Sequence, residues 1–361
     1  MSFLKGVKKK YNTVNKSINQ VTIIIIIICF GYLILNSINK NNITNTNIAS
    51  DNQIFSCELS SINEGILETG DLKTNTFLSL IDITAEIFKT SLKKNQIPYL
   101  INPILETLGS VSECTTDNDL MVVVTDNNIT QIYPKSILNY HISINDTINN
   151  KPILVSYSPL SNHFEVFERS FKDKVLEFGV SGSLYKNVDL LYDTETETLW
   201  SQFNGKALVG NYSGAILEKL PFKLLTFNEI KIQYPQARIV SFKTGYKRNY
   251  NFDPFIDYRN SEEIVAFITN NNSSFSKRDL VAGFIYNKMS YVIEEKLIFT
   301  KGFFQIGFEK FSIEEINGEI KIFNLTNNVR INNLTKIYAF VWFDFFPQTE
   351  ILVPSNSISN L

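Results

Sequence analysis

Asp119-Leu120-Met121-Val122-Val123-Val124-Thr125, followed by Asn127-Asn128-Ile129-Thr130, sets a pattern that recurs along the chain. A short β-branched run bounded by Asp and Asn predicts a strand that ends in a turn. Ile153–Tyr157, entered through Asn149-Asn150-Lys151-Pro152, repeats the pattern. Leu190–Leu191, Lys206–Val209, Ala237–Phe242 and Ile264–Ile268 are further strand candidates. Pro134 to Tyr140 reads as a short helix with proline in its first turn, where the missing N–H costs nothing. The expected class is α+β and β-rich, with mostly antiparallel strands and short helices.

A second stretch echoes the first. Asp279-Leu280 opens Val281–Tyr286, then Asn287-Lys288-Met289-Ser290 and a helix candidate through Leu297. The order matches Asp119-Leu120, Asn127-Asn128 and the helix through Leu138, with Asn149-Asn150-Lys151-Pro152 set against Asn317-Gly318-Glu319-Ile320. Fixed order at similar spacing predicts two related half-repeats, near 119–160 and 279–325.

Outward from this β-rich region, expected over 117–352 with a tail at 353–361, the chain changes character. Residues 1–20 carry Lys5, Lys8, Lys9, Lys10 and Lys16 and no acid. Val21 to Leu35 is uncharged, with Ile23–Ile28 unbroken, and 21–38 reaches the lower length for a transmembrane anchor. The lysines predict a cytoplasmic N-terminus and an extracytoplasmic domain, periplasmic or at the cell surface. A cleaved leader is the rival, but no small-x-small site follows closely. Residues 39–70 read as a polar tether. Residues 71–116 read as a helical segment, with Phe77, Leu80, Ile81, Ile87 and Phe88 at three- and four-residue spacings.

The chain has 361 residues, 44% of them hydrophobic and 13% aromatic, enough for a substantial core. A net charge of −2 argues against a nucleic-acid partner. The partners expected are the membrane, through 21–38, and a small ligand or protein. Cys57 and Cys114, in an oxidising compartment, are candidates to pair. A bridge closing so long a loop contributes about 4 kcal/mol if unstrained.

Polar residues able to do chemistry concentrate in 132–210. His141, Asp146, Ser158, Ser161, Arg169, Ser181, Asp193 and Gln202 are the candidate pocket. A nucleophilic serine needs a base held by a third group. His141 or His163 with Asp146 or Asp193 supplies the residue types, but no Gly-x-Ser-x-Gly elbow is present. Arg169 has the planar fork for an anionic ligand, and equally for a buried acid. Asp146 and Asp193 sit at apparent turns, where Asp commonly bonds its own backbone.

Ile132-Tyr133-Pro134, His141, Asn145-Asp146, Ser156-Tyr157-Ser158-Pro159-Leu160-Ser161 and Arg169 resemble, in order, a bacterial and archaeal family catalogued as a domain of unknown function, DUF3179. So do Phe178-Gly179-Val180-Ser181-Gly182-Ser183-Leu184-Tyr185, Tyr192-Asp193 and Leu199-Trp200-Ser201-Gln202. The resemblance extends from Gln96-Ile97-Pro98 through Thr244-Gly245 and Tyr250 to Trp342-Phe343 and Pro347-Gln348-Thr349-Glu350, roughly residues 95–352. It implies an exported or membrane-anchored protein. The family's usual Cys-Pro-Leu-Cys implies thiol redox chemistry or a soft metal such as copper or zinc. Here Ser158 and Ser161 replace both cysteines, and a hydroxyl neither forms a disulfide nor binds soft metals well. No cofactor is therefore expected. A metal would fall to His141, where two histidines without cysteine make a thin site. Two functional classes follow. One is a binding or accessory protein that has lost a Cys-x-x-Cys site. The other is an enzyme of unknown reaction keeping a pocket on His141, Asp146, Arg169 and Asp193. Loss of both cysteines favours the first, so enzyme activity is left uncertain.

Overall fold

The computed structural model describes residues 86–298, 301–316, 319–331 and 334–357. The basic tail, the apolar run 21–38, the tether, Cys57 and most of 71–116 lie outside the described residues. Among the described residues no helix is long and apolar enough to cross a membrane.

The described residues build five sheets of four or five strands in a propeller-like arrangement, plus a two-stranded ribbon. From Leu120 onward the main elements run β1 (Leu120–Asp126), β2 (Ile129–Pro134), α1 (Lys135–His141), β3 (Ser143–Ile148), β4 (Lys151–Ser158) and β5 (His163–Glu168). Next come β6 (Phe178–Tyr185), β7 (Val188–Asp193), β8 (Leu199–Ser201), β9 (Ala207–Val209), β10 (Lys223–Thr226), α2 (Phe227–Gln233) and β11 (Arg238–Val240). The C-terminal part holds β12 (Leu280–Tyr286), β13 (Met289–Glu294), β14 (Gly302–Ile306), β15 (Glu309–Ile316), β16 (Glu319–Asn324) and β17 (Val329–Ile331). It ends with β18 (Thr335–Tyr338), α3 (Ala339–Phe345) and β19 (Glu350–Ile351).

Two-residue turns close the β1–β2 and β3–β4 hairpins and explain where asparagine is used there. Asn127-Asn128 joins β1 to β2 at φ 47° and 74°, and Asn149-Asn150 joins β3 to β4 at 48° and 65°. Tight hairpin turns of this kind need two left-handed residues, and Asn tolerates that conformation better than most. The strands that follow are buried on both faces: β4 from Ile153 to Ser158 and β7 throughout.

Two sheets have the same order and sense. β10-β1-β2-β11 and β18-β12-β13-β19 each place an antiparallel trio beside one parallel strand, and in the first sheet Leu105–Thr107 adds a fifth strand antiparallel to β11. Asp119 and Asp279 make matching contacts in them. Asp119 O accepts from Phe227 N at 2.9 Å and Asp279 O from Ala339 N at 2.8 Å, at the starts of α2 and α3. Their carboxylates accept from Thr116 N at 2.9 Å and Ser276 N at 2.8 Å. The last pair of the sequence echo falls differently. Asn149-Asn150 joins β3 to β4, whose counterparts by order, β14 and β15, are joined at Gly307-Phe308. Asn317-Gly318 lies outside the described residues; in the sequence it falls between β15 and β16, one strand pair later.

Other expectations change as well. The described part of 71–116 holds three short strands and no helix beyond the 3-10 turn Leu108–Val111. Ile87–Lys89 is a strand antiparallel to β6, and Leu100–Ile101 and Leu105–Thr107 are edge strands. Sheet pairing to β6 overrides a local helical spacing. Ile264–Ile268 forms no strand; its backbone is held at Ala266, whose N–H donates to Asn187 Oδ1 at 2.7 Å. Pro134 precedes α1 as its N-cap rather than standing inside it. α3 lies tightly on β12, where a Cβ at Gly283 would come within 2.4 Å of the Trp342 ring.

Candidate functional site

The hairpin tip between β4 and β5 gathers the side chains with chemistry. Ser158 and His163 are the last paired residues, and Ser161 N donates to Ser158 O at 3.3 Å across the turn. Proline at the second position presets the φ such a turn needs. Two distant segments clamp the tip: Tyr258 Oη donates to Leu160 O at 2.9 Å, and Tyr338 N donates to Ser161 O at 3.0 Å. Ser158, Ser161 and His163 are buried.

Directly opposed residues of an antiparallel pair project to one face. Ser158 with His163, and Ser156 with Glu165, therefore form a polar stripe on one side of the hairpin. Tyr157 and Phe164 stack on the other, with ring centroids 4.2 Å apart. Ser158 Oγ donates to Asp189 Oδ2 at 2.6 Å. Gln202 Nε2 donates to Ser156 Oγ and to His163 O, each at 3.2 Å. Ser161 Oγ turns back to Ser158 O at 3.3 Å. Three sequence candidates, Ser158, Ser161 and Gln202, thus come together.

Charge on the stripe is uneven. Burial pushes the Asp189 carboxyl up to about 6, although Ser158 bonds its ionised form. Burial also works to raise Glu165, but Lys219 and His163 outweigh it and hold that carboxyl below its usual range. Glu165 forms a short ion pair with Lys219. His163 Nδ1 faces Lys336 O at 3.3 Å, and its Nε2 lies 3.6 Å from Glu165, beyond hydrogen-bond range. His163 Nε2 and Gln202 Oε1 are buried without a hydrogen-bond partner.

The remaining candidates lie elsewhere with structural partners. His141 Nδ1 sits 2.6 Å from Pro98 O, so Nδ1 must carry the hydrogen, since a carbonyl only accepts. Nε2 then accepts from Tyr250 Oη at 2.7 Å, which in turn receives Thr244 Oγ1 at 2.6 Å. Burial pushes the imidazole down to about 3, so it stays neutral. Asp146 accepts from Tyr133 Oη at 2.9 Å and Thr147 N at 2.8 Å. Among the described residues Arg169 forms no ion pair; its fork donates to the carbonyls of Ile153, Leu176 and Asp146 at 2.8, 2.7 and 2.9 Å. Asp193 receives Thr196 N at 2.6 Å and Trp200 Nε1 at 3.0 Å, closing a local turn. Ser181 Oγ donates to Leu190 O at 2.5 Å. Among the described residues no group of three or more His, Cys, Asp and Glu is placed to hold a metal ion.

Asp189, Glu165, Ser156 and Lys219 were not singled out in the sequence. The alternation Ser156-x-Ser158 with His163-x-Glu165 carries a period-two signal for a polar face. Asp189 and Lys219 reach it only through tertiary folding. Cys114 is disulfide-bonded, while Cys57, its expected partner, lies outside the described residues.

Pro98, His141, Thr244 and Tyr250 come from three separated stretches of the resemblance noted above and close on one another. No curated protein and no solved structure matches the chain. The model of the family described as "Protein of unknown function (DUF3179)" matches residues 94–315, which stops short of the Trp342–Glu350 segment but covers more than half of the chain. The chain therefore belongs to the DUF3179 family.

Proposed function

We propose that this chain is a membrane-anchored extracytoplasmic binding or accessory protein in which two hydroxyls replace a family thiol pair. The observation that carries this is the Ser158 hydroxyl, buried and donated to Asp189 at 2.6 Å. Neither histidine bonds either serine, so the tip lacks the nucleophile, base and orienting group of an acyl-transfer site. Two hydroxyls and a carboxylate are also a poor donor set for copper or zinc. His141, Asp146, Arg169 and Asp193, the basis of the enzymatic alternative, are each committed to structural partners. Lys-rich 1–20, apolar 21–38 and the disulfide at Cys114 support export and anchoring.

The tip keeps the dimensions of a thiol pair. A turn closed from its first to its fourth residue brings those Cα atoms within about 7 Å. Disulfides span roughly 4.4–6.8 Å. The Ser158→Cys/Ser161→Cys variant is expected to form an intramolecular bridge under mild oxidation. Alkylation followed by mass measurement, with and without reductant, reads it against the wild-type cysteine background. Two extra thiols that stay free in folded, oxidised protein would reject the replacement. Anchoring predicts that the protein stays with membranes through a carbonate wash and that external protease reaches its domain. Release into the soluble fraction, or full protection, argues the other way.

A further inference from the structure

A cavity of about 370 Å³ opens where the two sheets of matching order approach each other. Its wall uses corresponding positions from both. Leu120 on β1 pairs with Thr226, and Leu280 on β12 pairs with Tyr338. Two residues before those partners stand Leu224 and Lys336, and all four of Leu120, Leu224, Leu280 and Lys336 line the cavity. Phe164 extends the apolar floor, and Asn162 brings the serine-bearing hairpin tip to its edge. The volume falls within the range of small-molecule sites, which are mostly apolar with a few convergent polar groups.

The polar groups select a charge. Among the described residues, Glu229, Glu295 and Glu315 line the cavity against one cation, Lys336. Lys336 Nζ lies 3.0 Å from Glu295 and 3.2 Å from Glu315, so it is shared between two carboxylates. Glu229 directs Oε2 to the Thr226 N–H and hydroxyl at the start of α2, and its other oxygen has no hydrogen bond among the described residues. Three carboxylates against one ammonium leave an excess of two negative charges around an apolar floor. The rim is reachable, since the side chains of Glu295, Glu315 and Lys336 are 27%, 36% and 22% exposed.

We infer that this cavity binds a small organic amine: an aliphatic body on the leucines and Phe164, with ammonium groups meeting the glutamates. This rests on the reading of the chain as a binding protein and adds the ligand's class. Lys336 then acts as an internal competitor, occupying two carboxylates that a ligand ammonium would use.

The test is calorimetric titration of the full chain in detergent, at low salt, with 1,4-diaminobutane. Butane-1,4-diol and succinate serve as neutral and anionic probes of similar length. The diamine is expected to bind and the other two not to. Glu229→Gln should weaken it about tenfold, the loss of one charge-assisted contact. Lys336→Met should tighten it, because Glu295 and Glu315 are released; a merely structural lysine would not act in that direction. Equal or better binding of the diol or succinate overturns the amine class and leaves the binding reading in place. Absence of heat or thermal shift with every probe overturns the site, while the thiol-pair experiment still judges the wider reading separately.

Discussion

Arg169→Lys is expected to destabilise the fold by about 3 kcal/mol, and Arg169→Met by at least as much. The guanidinium is buried and donates to three carbonyls at once, on Ile153 of β4, on Asp146 of β3 and on Leu176 just before β6. It ties the sheet of β3 and β4 to the segment that leads into β6 at backbone level. A bond from a charged donor contributes roughly 1.5–3 kcal/mol, and each buried acceptor left unpaired costs roughly 1–3 kcal/mol. Lysine keeps the charge but not the planar fork, so one ammonium cannot serve three divergent acceptors. Chemical denaturation of the two variants measures the effect. A cost under about 1 kcal/mol, or rescue by lysine, would contradict this role.

The second large effect is with pH. His141 is neutral in the fold because burial pushes it down to about 3 from 6.5. Unfolding exposes a histidine that takes up a proton. Its contribution is therefore present above pH 6.5 and is lost as pH falls toward 3. At pH 4.5 the loss is about 3 kcal/mol, two units at about 1.4 kcal/mol each. Asp189 acts in the opposite direction. Its carboxyl is raised to about 6 from 3.8, so its contribution is present at low pH and lost as pH rises through 6. Between pH 7 and 4.5 it offsets about 2 kcal/mol of the histidine's loss. His141→Gln should lower stability at pH 7 yet flatten the acid slope. Asp189→Asn should do the reverse, raising stability above pH 7 and steepening the fall below 6. Denaturant midpoints from pH 4.5 to 8 check both, and parallel curves for the two variants would refute the assignment.

The two side chains also show how much of the site was legible. His141 was recognisable as a residue with a role, because it ends a helix opened by Pro134 and sits in an ordered motif. Its role was not legible, since Pro98 and Tyr250 lie 43 and 109 residues away. Asp189 carried no signal. It sits in the apolar setting Val188-Asp189-Leu190-Leu191 and matters only because β7 brings it to Ser158. Arg169 invited an anion-binding reading, which fails because its carbonyl partners are backbone atoms that no residue identity announces. Ile87 and Phe88 had helical spacing, but an open edge of β6 made them a strand.

What the sequence determined by itself is what neighbours along the chain enforce. Apolar β-branched runs such as Leu120–Val124 and Ile153–Tyr157 became strands, though Ile264–Ile268 did not; the pairs Asn127-Asn128 and Asn149-Asn150 became tight turns, and Thr226 with Glu229 formed the reciprocal cap that starts α2. The order of motifs identified the family, and Ser158 with Ser161 fixed the absence of sulfur at the hairpin tip. Only the tertiary structure decided which strands became neighbours, and so which polar groups share one buried face. That choice depends on burying both faces of the strands and on pairing distant backbone groups. Such contacts carry no periodicity that a local window can read. The cavity between the two sheets of matching order is the clearest case. Its walls draw on β1, β5, β10, α2, β12, β15 and β18, and its charge exists only once Glu229, Glu295, Glu315 and Lys336 are brought around one space.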